Sequence, residues 1–162
     1  MPELVYLYGK KETVAALTVP CLVTAQSCMY PKKKEISEED LFLVGQWDTG
    51  ATQTIASKNI IKALDIEPTG REINVHGVNG VYNSDTYLVD LHLPDGIVFE
   101  NVLVAEMSEE FGPSILIGLD VILQSDFVIG SKDGRILLKF RYPSEGDKPF
   151  LDKVIELVDE DK

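Results

Sequence analysis

The residues whose types and spacing are best suited to chemistry are Asp48, Thr49, Gly50 and Ala51. They follow the apolar run at 41–47 and are answered later by Ile115, Leu116, Ile117 and Gly118. A carboxylate on a tight turn at the end of a buried strand, backed by a second apolar strand ending in glycine, would suit half of a two-carboxylate site. Two carboxyl groups about 3 Å apart cannot both ionise, so one donates its proton while the other takes a proton from water. Such a pair can activate water and protonate a carbonyl without a metal. Asp-x-Gly is also ordinary turn chemistry. The surrounding elements therefore decide whether Asp48 belongs to a site.

Those elements are mostly strands. Residues 4–8 form a β-prone run closed at 9–12, and 13–25 form a second, so the two are expected to make a hairpin. The charged stretch 31–40 has no apolar period and reads as a solvated excursion. Residues 41–47 form the strand that delivers Asp48. A short helix follows at 57–64, with Ser57 as N-cap and Ile60, Ile61 and Leu64 on one face. Pro68 and Gly70 end it. Residues 71–75 and 81–93 are two strands joined through His76, Gly77, Val78, Asn79 and Gly80. In the second, Tyr87, Val89, Leu91 and Leu93 point one way and Asp90 and His92 the other. Strands at 98–105 and 115–118, a helical turn at 119–124 and a hairpin of 127–129 with 135–140 complete the body. Many short strands, frequent turn signals and little helix give an all-β barrel or sandwich. In the tail from 143, Phe150, Leu151, Val154, Ile155, Leu157 and Val158 suggest a helix that packs on the body.

The order of these features resembles the retropepsins, the retroviral-type aspartic peptidases. The matching features are apolar residues before the Asp, a small residue after the Gly, a glycine-bearing hairpin downstream, and then two apolar residues and Gly. The match covers about 41–142 of a single domain spanning 1–162, with 1–40 as a β extension and 143–162 as a tail. The resemblance implies a closed or partly open acid-protease barrel with one or two short helices. Asp-Thr-Gly occurs once, so it also implies a homodimer in which each subunit lends one Asp48.

From the same resemblance, Thr49 hydrogen-bonds across the two-fold axis and Gly50 leaves room for the substrate backbone. Ala51, Thr52 and Gln53 line the groove, and Thr54 is structural. Gly77, Val78, Asn79 and Gly80 form the tip of a flap whose amides meet the substrate. Pepsin-like relatives tend to carry Ser where Ala51 stands. Without that hydroxyl, which favours the charged carboxylate, activity is expected to reach toward neutral pH. Asp120 matches the acidic or amide position after Gly118, as a helix-start cap or ion-pair partner. Viral members often have a basic residue where Leu119 stands, so the chain looks closer to the cellular and bacterial branch. Trp47 is larger than the usual aliphatic residue before the Asp.

Composition sets the outer bounds. The chain has 162 residues and a net charge of -12, from Asp+Glu 27 against Lys+Arg 15. That surface disfavours phosphate backbones and anionic lipid, so neither nucleic acid nor membrane is an expected partner. Cys21 and Cys28 make no disulfide framework and fit no zinc or redox spacing. His76 and His92 build no metal cluster or nucleophile system. The expectation is a cytoplasmic, cofactor-free aspartic endopeptidase cutting peptide or protein substrates. The alternatives are an inactive module of the same fold, used for dimerisation or peptide binding, and a heteromer whose partner supplies the second Asp.

Overall fold

The computed structural model describes residues 2–10, 14–26, 43–77, 80–107 and 114–146. They belong to two compact units, Thr18–Val121 and the pair of segments Met1–Leu17 and Ile122–Lys162. The charged stretch 31–40, Cys28, Val78, Asn79 and the expected tail helix lie outside the described residues.

The larger unit begins with β2 (Thr18–Ala25), β3 (Leu43–Trp47), β4 (Ile55–Ala56) and α1 (Lys58–Leu64). It continues with β5 (Glu72–Gly77), β6 (Gly80–His92), β7 (Val98–Glu106) and β8 (Ile115–Ile117), and ends in the short α2 (Leu119–Ile122). The strands run in the order β2-β3-β8-β4-β7-β6-β5, and β2 pairs again with β6. That second pairing closes a ring through β2, β3, β8, β4, β7 and β6, leaving β5 outside it as the partner of the first half of β6. Closure removes the exposed edges that an open sheet would carry. The unit is an all-β barrel with two short α-helices among the described residues.

Period-two patterning builds its interior. Val19, Cys21 and Val23 alternate inward from β2, and Tyr87, Val89 and Leu91 from β6. Val104, Ile115 and Ile117 are wholly buried between them. Truncating such a side chain to Ala costs about 2–5 kcal/mol, because the lost contacts leave a cavity. Asp90, on the opposite face of β6, is buried as well; its Oδ1 accepts the Asn101 N–H at 2.9 Å, where the chain turns at φ 58°. In α1, Ile60, Ile61 and Leu64 are buried as the spacing predicts. Its brake is Asp65 in the left-handed region, ahead of the Pro68 and Gly70 expected to end it.

The smaller unit is a three-stranded antiparallel sheet of β1 (Glu3–Lys10), β10 (Arg135–Arg141) and β9 (Asp126–Lys132), in that order. Here the sequence expectation is corrected. The run at 4–8 does not form a hairpin with the run at 13–25. Instead β1 pairs with β10, Leu4 opposite Phe140 and Tyr6 opposite Leu138, while β2 pairs with β3 and β6. Neighbouring β-prone runs signal strands but not partners. Here the partners are set by burial: Leu138 and Phe140 are fully buried beside β1, and Val19 and Val23 are fully buried in the barrel. The β9–β10 hairpin forms as expected, turning through Asp133 and Gly134, both at positive φ, the signature of a two-residue primed turn.

Arg141 anchors the far end of that hairpin. It reaches Asp126 and pairs with Glu145 at 2.8 Å, and Ser144 donates to Asp126. Burial pushes the Asp126 carboxyl up. The hydrogen bonds from Ser144, Arg141 and the Glu145 N–H, with the Arg141 charge, outweigh it and bring the pKa down to about 2.

Candidate active site

Asp48 follows the last residue of β3, which runs parallel to β8 with Gly45 opposite Ile115 and Trp47 opposite Ile117. Its N–H continues that ladder to the Ile117 carbonyl at 2.9 Å. The chain then turns sharply: the Ala51 N–H donates to the Asp48 carbonyl at 3.2 Å, and the Gly50 N–H donates to Asp48 Oδ1 at 2.9 Å. A carboxylate that accepts a backbone N–H is fixed in direction. Oδ2 takes no hydrogen bond from the described residues. Asp48 is half-buried, whereas Thr49, Gly50 and Thr52 are exposed.

The turn is held from behind by the second sequence motif. β8 lies between β3 and β4, pairing with both, so the segment leaving it passes directly behind the 48–54 loop. The Leu119 N–H donates to the Ala51 carbonyl at 2.8 Å, and the Gly118 N–H to Thr54 Oγ1 at 3.1 Å. The Thr54 hydroxyl in turn donates to Asp120 Oδ1 at 2.7 Å. Thr54 is completely buried, so this chain of bonds is sheltered from competing water. Gly118 is required by space: a Cβ there would stand 2.7 Å from the Gln53 carbonyl carbon and 2.8 Å from its oxygen. The two motifs that the sequence separates are thus one structural unit.

Gln53 plays a part beyond lining a groove. Its Nε2 donates to Asp120 Oδ2 at 3.0 Å and to the Leu103 carbonyl. The Leu103 carbonyl can only accept, which fixes the amide with its nitrogen toward it. Asp120 therefore braces the loop through Gln53 and Thr54, a role that the pattern of Gly followed by an acidic residue does not reveal. Trp47 is buried in the core immediately before the turn.

The β5–β6 hairpin forms where the sequence places it. Its strands run farther than expected, with pairing continuous from Glu72 opposite Asp85 to Gly77 opposite Gly80. Only Val78 and Asn79 separate the two glycines, and Gly80 adopts φ 121°. The second half of β6 is a barrel strand paired with β7 and β2. One strand thus carries both the hairpin and the wall.

Among the described residues no group of His, Cys, Asp and Glu could hold a metal ion, and no helix is long and apolar enough to cross a membrane. Cys21 is a free, buried thiol whose pKa burial pushes up to about 11, a setting that suppresses thiolate chemistry.

No known family's sequence profile matches the chain, nor does any curated protein. Solved structures do match. A retropepsin-like aspartic protease from Rickettsia conorii superposes with a TM-score of 0.51 at 11% identity, over 85% of this chain and 90% of that one. The simian foamy virus (mac) protease gives a TM-score of 0.43 at 16% identity, over 66% of this chain and 92% of the other. The EIAV protease in complex with the inhibitor HBY-793 gives 0.45 at 18% identity, over 71% and 92%. The chain has the retropepsin-like fold, as its motifs imply.

Proposed function

We propose that this protein is an aspartic endopeptidase, active as a homodimer in which Asp48 of each subunit forms one dyad. A single observation carries the reading. In a retropepsin-like fold, Asp48 stands on a turn braced by Gly118, Thr54 and Asp120, with one carboxylate oxygen held by Gly50 and the other without a hydrogen bond from the described residues.

The chemistry follows from two carboxyls sharing one proton. The ionised Asp48 takes a proton from a water held between the pair, and the water oxygen bonds to the scissile carbonyl carbon. The protonated Asp48 gives its proton to the carbonyl oxygen. The tetrahedral intermediate collapses when the C–N bond breaks: the protonated Asp48 gives its proton to the amide nitrogen while a hydroxyl of the intermediate passes its proton to the ionised Asp48, so the dyad regains its single proton. No cofactor enters. An extended peptide lies as a strand between the dyad and the β5–β6 hairpin, which serves as the flap, with Gly77, Val78, Asn79 and Gly80 at its tip and Ala51, Thr52 and Gln53 beside the turn. The groove favours apolar side chains near the cut. Thr49, exposed in the single chain, bonds across the two-fold axis.

The shared dyad is tested by mixing. Asp48→Asn protein, titrated into wild type, forms mixed dimers with one carboxylate and lowers cleavage below the value set by dilution. Loss by dilution alone would argue against a shared site. A wild-type protein that stays monomeric and inactive would favour a heteromer.

A further inference from the structure

At the end of the barrel strand β7 the backbone ladder to β6 stops at Thr86 opposite Ala105, one residue before β7 ends at Glu106. The Glu106 backbone groups would then lack partners on that side, and buried backbone groups rarely stay unpaired. Side chains of the hairpin take the place of the missing ladder. The Glu106 N–H donates to Ser84 Oγ at 2.9 Å, and the Tyr82 hydroxyl donates to the Glu106 carbonyl at 3.1 Å. Ser84 is buried, and the Tyr82 ring lies beside Gly77 of the opposite strand. On its other side β7 is fixed to β4, with Ala56 opposite Glu106.

We infer that Tyr82, seconded by Ser84, is a positioning residue that latches the β5–β6 hairpin to the barrel and sets how far it swings. The hairpin's root is rigid. Thr86, wholly buried, donates from its N–H and its hydroxyl to the Arg71 carbonyl, and its carbonyl accepts the Thr69 N–H at 2.8 Å. From Thr86 to Gly80 the strand projects about 20 Å at the rise of an extended chain. Tyr82 is four residues along that span, so of the described strand only Val81 and Gly80 lie beyond the latch. A hydroxyl bond opens without disturbing any backbone pair, so this contact can release while the β5–β6 ladder stays intact. Opening the hairpin therefore costs the side-chain bonds at Tyr82 and Ser84 rather than a strand's worth of ladder. The latch stands on geometry alone; its part in catalysis rests on the peptidase reading above.

The test is amide hydrogen exchange, followed residue by residue in wild type and Tyr82→Phe, which loses one oxygen and keeps the ring. Exchange at 73–77 and 80–83 is expected to rise about three- to tenfold, as for the loss of one hydrogen bond. The β3, β7 and β8 amides should keep their rates. Ser84→Ala should give a smaller rise over the same residues. With a peptide substrate, Tyr82→Phe should change KM more than kcat. Unchanged hairpin exchange in Tyr82→Phe, or a rise spread evenly over the barrel, overturns the latch. A wild type that cuts no peptide overturns the peptidase reading, while the exchange result still decides the latch.

Discussion

Gly118, Thr54 and Asp120 never touch a substrate in this account, yet the direction of the Asp48 carboxylate depends on them. Gly118→Ala would press a methyl against the Gln53 carbonyl at 2.7 Å, and backbone in a stapled loop cannot step aside cheaply. The expected loss is about 1–3 kcal/mol in urea unfolding; an unchanged midpoint would mean that the loop is not packed as described. Thr54→Val keeps the shape and removes the hydroxyl, leaving the Gly118 N–H and an Asp120 oxygen without that partner. It should cost about 1–3 kcal/mol by the same measurement. Thr49→Ala should leave subunit stability unchanged and weaken dimerisation, while Thr49→Ser should restore it, read by light scattering across a dilution series.

At the scale of elements, local patterns were legible and partnerships were not. The α1 stripe of Ile60, Ile61 and Leu64 and the alternation of Tyr87, Val89 and Leu91 appear in the structure where the sequence puts them. Both are short-range signals of period 3.6 and 2. The pairing of β1 with β10 joins residues more than 120 positions apart, and no pattern near residues 4–8 announces it. In the site, only the resemblance to the retropepsins implied that the 115–118 segment lies behind the Asp48 turn. The inward turn of Gln53 was not readable, because it depends on Asp120 and the Leu103 carbonyl being placed together by the barrel. Tyr82, Ser84 and Glu106 read as ordinary strand residues for the same reason.

The β9–β10 hairpin carries a pH prediction. The folded Asp126 pKa lies near 2, below its ordinary 3.8. A depressed carboxylate contributes stability that is fully present above the ordinary value and is lost as pH falls through the folded one. Between about pH 4 and pH 2 the protein should lose on the order of 1–2 kcal/mol through this group. Asp126→Asn should be less stable at pH 6 and flatter across that window in urea titrations. An equal slope in both proteins would remove Asp126 from the acid response.

For the whole molecule, one chain carries one Asp-Thr-Gly, and a dyad needs two. On the proposed reading the active particle is an assembly, and dilution below the dimer constant should abolish cleavage faster than in proportion to concentration. The measurement that bears most directly on this is cleavage of a diverse peptide mixture by wild type and Asp48→Asn, read by mass spectrometry from about pH 4 to about 7.5, the range in which a carboxyl pair can hold one proton. The account predicts wild-type cuts, persisting toward neutral pH, every one of which disappears in Asp48→Asn. Cuts that survive the substitution, or a dimeric wild type that makes none, would contradict it.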